Sequence, residues 1–191
     1  CVQEEIRYAV APELLVGLVL SPRMSDDEAI VLRGAERFAA TSGYAWDLRY
    51  AGLFIDPCPR GADGTPDVEL VAIDAVSYNR RDPSVQWQQA AILRELRKAS
   101  AGFLRDERSL PVATGNWGCG VFRGDPQLKA VIQWLAASAE GRSVTYYPFG
   151  DLRVGTSFAD VAPTSWTFPT TWAGDAAGNW YDAARWTGPV P

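Results

Sequence analysis

The sequence predicts an α/β layered domain with a parallel or mixed sheet, and three observations carry that reading. Short apolar runs of strand character alternate with stretches of helical periodicity. A glycine-rich turn follows a strand and feeds a strong helix, which is where open α/β sheets bind ligands. The length of 191 residues, 47% hydrophobic and 21% charged, suits one compact domain with a short appendage.

Gln3 to Tyr8 reads as a short helix opened by polar residues. Pro12 fits the first turn of a second helix, where a missing N–H costs nothing. Ala29 to Leu32 has strand character. Gly43-Tyr44 and the stretch from Asp56 to Pro66, dense in Pro, Gly and Asp, read as loop. Val68 to Tyr78 is the best buried-strand candidate. A helix is predicted over 84–100, with Val85, Ile92, Leu96 and Ala99 near helical spacing and Gly102 as its stop signal.

A strand near Leu110 to Ala113 leads into the turn from Thr114 to Asp125 (TGNWGCGVFRGD). Asp125 as N-cap and Pro126 at the first position then open a second strong helix. Its apolar stripe is Leu128, Val131, Ile132, Leu135 and Ala136. Val144 to Phe149 is the last strand, ending at Gly150-Asp151. Residues 153–191 carry Trp166, Trp172, Trp180 and Trp186 among Thr, Gly, Pro and Ala, with little periodicity. This reads as an irregular appendage whose tryptophans pack back on the domain. A disordered tail is the close alternative, and sugar stacking by the tryptophans a minor one.

A net charge of −5 argues against a nonspecific nucleic-acid binder, which would carry a basic face. An anionic ligand remains compatible, because backbone N–H groups at helix N-termini and nests bind phosphates without lysines. The three cysteines, Cys1, Cys58 and Cys119, are widely spaced, which suits neither a disulfide framework nor a zinc site. With no histidine, Ser-His-Asp and Cys-His catalysis are excluded, and acid–base work falls to carboxylates, Tyr, Lys or Cys. No apolar run reaches membrane-spanning length and no secretory signal is visible.

Two places can carry chemistry. Gly115, Gly118, Gly120 and Gly124 let the backbone of the turn approach a ligand and expose N–H groups. The pattern is neither a P-loop nor a GxGxxG fingerprint, and a tight turn that simply needs glycines explains it equally well. Glu4 and Glu5 are the second. In a first helical turn, paired carboxylates are usually dipole-favourable surface residues, and consecutive ones cannot flank a glycosidic bond. If both act, one contacts the scissile bond and the other holds a neighbouring sugar hydroxyl.

Val2-Gln3-Glu4-Glu5-Ile6-Arg7-Tyr8 with Pro12-Glu13-Leu14 resembles the signature segment of the poly(ADP-ribose) glycohydrolases. So do the turn from Thr114 to Asp125 with Leu128-Lys129-Ala130 and Ile132-Gln133, and the runs Thr41-Ser42-Gly43-Tyr44, Val71-Ala72-Ile73-Asp74-Ala75, Gly102-Phe103-Leu104-Arg105 and Phe149-Gly150-Asp151. They occur in the family's order over roughly residues 1–151. The resemblance implies a three-layer α/β/α macrodomain-like fold with a mixed sheet over 1–152, and residues 153–191 as the tail. It also implies hydrolysis of ribose–ribose O-glycosidic bonds in poly(ADP-ribose), releasing ADP-ribose, with no metal or cofactor.

In that likeness Glu5 is the catalytic acid, Glu4 holds ribose hydroxyls and Gln3 positions substrate. Gly118, Cys119, Gly120, Val121 and Phe122 wrap the diphosphate, Tyr44 lies against the adenine and Phe149 packs on the distal ribose. Phe122 and Phe149 could also be plain core aromatics. Tyr44, in a Gly-flanked loop, is expected to be exposed. Cys119 reads as a small residue tolerated in a tight loop more readily than as a reactive thiol, and Asp74 reads as structural.

The expected partners are poly(ADP-ribose), ADP-ribose and poly(ADP-ribosyl)ated proteins, with neither membrane nor direct DNA binding. The expected setting is intracellular (cytoplasm, or nucleus if eukaryotic), in reversal of ADP-ribosylation and the DNA damage response. The family's glycine run upstream of Gln-Glu-Glu has no counterpart, since only Cys1 and Val2 precede Gln3. This predicts a chain truncated at the N-terminus and lacking strand there. Arg123 stands where a glycine is usual, and the tail departs from the family's helical end. A noncatalytic ADP-ribose-binding module is the alternative, and a structural domain without ligand a third reading.

Overall fold

A computed structural model describes residues 3–21, 23–108, 110–148, 151, 153–154, 166–167, 171–172 and 186–187. They fall into two compact units. The first holds the described residues within 1–23 and 30–71, the second those within 24–29, 72–172 and 186–191.

In the first unit, helix α1 (Gln3–Val10) buries Ile6 and Val10, one helical turn apart, and leaves Gln3, Glu4 and Glu5 exposed. Pro12 does start a helical turn, as expected, but a 3₁₀ one (Pro12–Leu15) that runs into the short helix α2 (Val16–Leu20). Ala11, Leu14 and Ala35 form the buried centre of this unit. Strand β1 (Ile30–Arg33) lies in the expected place and pairs with β4 (Glu69–Ala72). The sequence reading passes over an antiparallel hairpin of β2 (Ala39–Ser42) and β3 (Arg49–Leu53), bulged between Ala40 and Thr41. All four β2 residues are half-buried, so no two-residue alternation marks the strand.

The long strand expected over 68–78 stops at Ala72. Beyond it, side chains take over the backbone groups that a ladder would have paired. The Ile73 carbonyl accepts the Trp117 indole N–H, the Asp74 carbonyl accepts Arg94, and the Val76 N–H donates to Glu95. In the second unit the predicted helix divides into a 3₁₀ turn (Pro83–Trp87) and α3 (Gln89–Phe103). Gly102 does not stop it. The helix runs one residue further and buries Phe103, a tertiary gain that outweighs the glycine penalty.

Strand β5 (Val112–Gly115) and β6 (Val144–Tyr147) pair in parallel, and β7 (Trp166–Thr167) extends that sheet on the β6 side. Two further short segments, β8 (Thr171–Trp172) and β9 (Trp186–Thr187), pair antiparallel. Helix α4 (Pro126–Ala139) begins as predicted, with the Asp125 carboxylate accepting the Leu128 N–H at 2.9 Å. Its buried face differs from the predicted stripe. Leu135 is exposed, whereas Lys129 and Gln133 are buried beside Ala130, Ile132, Ala136 and Ala137. No helix among the described residues is long and apolar enough to cross a membrane.

Candidate functional site

The glycine-rich turn occupies the carboxyl end of β5, and each of its ends is tied down. The buried Tyr146 hydroxyl donates to the Asn116 side chain at 2.9 Å, and the Asn116 amide donates to the Pro148 carbonyl at 2.8 Å. From α4, buried Gln133 bonds the Thr114 hydroxyl at 2.5 Å and donates to the Gly115 carbonyl at 3.1 Å. At the far end the Asp125 N–H donates to Gln86 at 2.7 Å.

Inside the turn, Cys119 N–H donates to the Asn116 carbonyl, Arg123 N–H to Gly120 and Gly124 N–H to Gly118. The Phe122 carbonyl accepts the Tyr78 N–H. These bonds leave four donors over. Among the described residues, the N–H groups of Gly118, Gly120, Val121 and Phe122 donate to no backbone or side-chain acceptor. Phe122 is 41% exposed and Val121 more so, so neither is a core side chain. Amides without an acceptor among the described residues, in a turn leading to a helix N-terminus, are chemically suited to an anion.

The glycines of the turn divide by function. Gly118 has φ +72°, and a Cβ there would lie 2.6 Å from Ala75 Cβ and 3.2 Å from the Lys129 ammonium. At Gly124 a Cβ would come within 2.9 Å of the Gly118 carbonyl oxygen. Both are required by the protein's own packing. Gly120 is not: a Cβ there would meet nothing within 4 Å. Arg123 is held at φ +58°, an uncommon conformation for a residue with a Cβ.

Burial pushes the Cys119 thiol up to about 12, with Asp125 adding and Arg153 opposing. That thiol donates to the Trp117 carbonyl and is no nucleophile near neutral pH. Behind the turn lies a chain of charges that the sequence reading does not foresee. Asp74 pairs with Arg94 at 2.5 Å and Lys98 at 2.7 Å. Arg94 also bonds Glu95 at 2.7 Å, and Glu95 pairs with Lys129. The Lys129 ammonium sits 3.8 Å from the centroid of the Trp117 ring. Burial depresses it to about 7, Arg94 adding to the fall and Asp74 opposing it. Asp74 thus has the structural role expected of it. One signal was available: the chain has only two lysines, Lys98 and Lys129, among its basic residues, and both are buried.

In the first unit, α1 presents Gln3, Glu4 and Glu5 on its exposed first turn. Tyr8, one helical turn on, hydrogen-bonds Glu4; burial first, then that carboxylate, raises the Tyr8 phenol. Tyr44 is 38% exposed in the segment joining β2 to β3. The preceding Gly43 has φ +74°, and any Cβ there would run into the Asp47 carbonyl. Phe149 lies outside the described residues. Among those residues no group of three or more Cys, Asp or Glu could hold a metal ion.

Comparison with known proteins shows the family. Residues 1–156 match the family model of the poly(ADP-ribose) glycohydrolase catalytic domain, macro domain fold. The chain is 35% identical to probable poly(ADP-ribose) glycohydrolase 2 of Arabidopsis thaliana, over 78% of this chain and 36% of the relative. It is 34% identical to poly(ADP-ribose) glycohydrolase 1 of the same plant, over 78% and 40%. Against poly(ADP-ribose) glycohydrolase 1 of Caenorhabditis elegans the identity is 37%, over 78% and 21%. The chain thus spans well under half the length of these curated relatives. With its α/β content, small sheets and match over most of its length, the chain belongs to the poly(ADP-ribose) glycohydrolase family, with the macro domain fold.

Proposed function

We propose that this chain hydrolyses the ribose–ribose O-glycosidic bonds of poly(ADP-ribose) and releases ADP-ribose. One observation carries the reading. The turn from Gly118 to Phe122 offers four N–H donors with no acceptor among the described residues, and Gly120 needs no glycine for its own fold. A diphosphate accepts hydrogen bonds from such donors, and a missing Cβ lets it approach the backbone. Residues 1–152 form the catalytic domain in this reading, as a three-layer α/β/α arrangement, with 153–191 as its appendage.

Glu5 is the general acid. It protonates the leaving ribose oxygen as the bond from the anomeric carbon breaks. The resulting carboxylate then takes a proton from the water that adds to that carbon, which returns Glu5 to its starting form. Glu4, steadied by Tyr8, holds ribose hydroxyls, and Gln3 positions the same sugar. Tyr44 lies against the adenine, and Phe149 packs on the distal ribose. The setting is intracellular, where poly(ADP-ribosyl)ated proteins carry the polymer, and the reaction reverses that modification in the DNA damage response.

The test is ADP-ribose release from purified polymer by the chain and by Glu5→Gln. Release by the wild type and a loss of at least a hundredfold in Glu5→Gln are expected, in line with the contribution of general acid catalysis, about 10²–10⁴-fold. Full activity in Glu5→Gln sinks the assignment of the acid. A wild type that binds ADP-ribose yet releases none is a noncatalytic binding module.

A further inference from the structure

The loop's glycines are shaped as much around a lysine as around any ligand. The side chain of Lys129 is 2% exposed, on the buried face of α4. A Cβ on Gly118 would lie 3.2 Å from its Nζ, and a Cβ on Gly124 would lie 3.1 Å from its Cε. Gly124 N–H closes onto the Gly118 carbonyl at 2.9 Å, so the two glycines fold directly over the lysine stem. The ammonium is covered on another side by the Trp117 ring and held by Glu95.

Glu95 is fixed in turn by Arg94 and by the Val76 N–H. The Trp117 indole is pinned to the Ile73 carbonyl at 3.2 Å. A buried ion pair gives little net stability over apolar residues of the same volume, because desolvation consumes most of the attraction. A reason other than stability is therefore needed for a lysine here, and its neighbours supply one. Of the residues placed against its side chain, Trp117, Gly118 and Gly124 belong to the amide-bearing turn and Glu95 to α3.

We propose that Lys129 is a positioning residue for the phosphate-binding turn. Its ammonium, anchored through Glu95 to α3, supports the Trp117–Gly118 floor from beneath and holds the uncommitted amides in one orientation for the ligand's diphosphate. The proposal deepens the functional reading above and rests on that turn being the diphosphate site. Lys98, 0% exposed, serves a different purpose. It bonds the carbonyls of Ser25 and Glu28 and pairs with Asp74, so it provides an internal control.

The test uses the full chain with ¹⁵N-labelled lysine, which yields two side-chain signals, together with backbone amide spectra and ADP-ribose as ligand. Saturating ADP-ribose should shift the amides of Gly118, Gly120, Val121 and Phe122, and should move the Lys129 signal while leaving that of Lys98 in place. In Lys129→Met/Glu95→Gln, which removes both members of the pair, ADP-ribose should bind at least tenfold more weakly. The Cys119, Arg123 and Gly124 amides, which close the turn, should exchange with solvent faster, while those of β5 and β6 should not.

Wild-type binding and unchanged exchange in the double variant overturn the proposal. So does a Lys129 signal that ignores a ligand which shifts the turn's amides, and that measurement needs no variant to fold. ADP-ribose that binds without touching those amides refutes the diphosphate site instead. In that case faster exchange in the unliganded double variant still decides whether Lys129 holds the turn.

Discussion

Gly118 meets two demands at once, a left-handed backbone and the absence of a Cβ between Ala75 and Lys129. Gly118→Ala should cost roughly 1–2 kcal/mol for the left-handed conformation alone, and more once Ala75 is displaced. Thermal unfolding measures the loss, and a shift indistinguishable from zero refutes the packing. Gly120→Ala is the matching opposite. Its Cβ meets nothing, so the melting temperature should hold while ADP-ribose affinity falls. Cys119 gives a chemical check. With its thiol pushed up to about 12, it should react with iodoacetamide at pH 8 far more slowly than a free cysteine; rapid labelling at Cys119 contradicts the burial. At this scale the sequence identifies Gly118 and Cys119 as members of a tight turn. It does not separate Gly118 from Gly120, because that depends on which neighbours surround each Cβ direction.

Among the elements, α4 is the best determined locally. Asp125→Ala removes the bond to the Leu128 N–H, and loss of such a cap costs about 1 kcal/mol; denaturant unfolding reads it directly. The partners of α3 give a pH dependence. Burial raises the Asp74 carboxyl, but hydrogen bonds from Lys98 and Arg94 outweigh it and hold the group below its ordinary value. The folded state therefore binds its proton less readily than the unfolded chain. The stabilisation is present above about pH 4 and is lost as pH falls through the folded value. The difference in melting temperature between wild type and Asp74→Asn should accordingly shrink on acidification from about pH 6 to about pH 3. A constant difference contradicts the ion pairs. The helices were legible because caps and periodicity are local signals, as Asp125-Pro126 shows. The early end of β4 was not, since it depends on Trp117, Arg94 and Glu95, all distant in sequence.

At the scale of the whole molecule, a net charge of −5 sets how a polyanion is met. The proposed recognition by backbone amides would leave few cations to neutralise phosphates, so polymer affinity should change less than about tenfold between 50 and 200 mM salt, against about 10³–10⁵-fold for a protein making 6–10 phosphate contacts through lysine or arginine. A steep salt dependence in filter binding would point to arginines, Arg123 first among them, in place of the amides. The sequence alone determined the family, the presence of an α/β domain, the start of α4 and the glycine-rich turn, because each is written in neighbouring residues. Only the tertiary structure decided what that turn is built on. The contacts of Lys129 with Glu95 and Trp117, and the open side of Gly120, arise where segments far apart in sequence pack together, and no local periodicity encodes them.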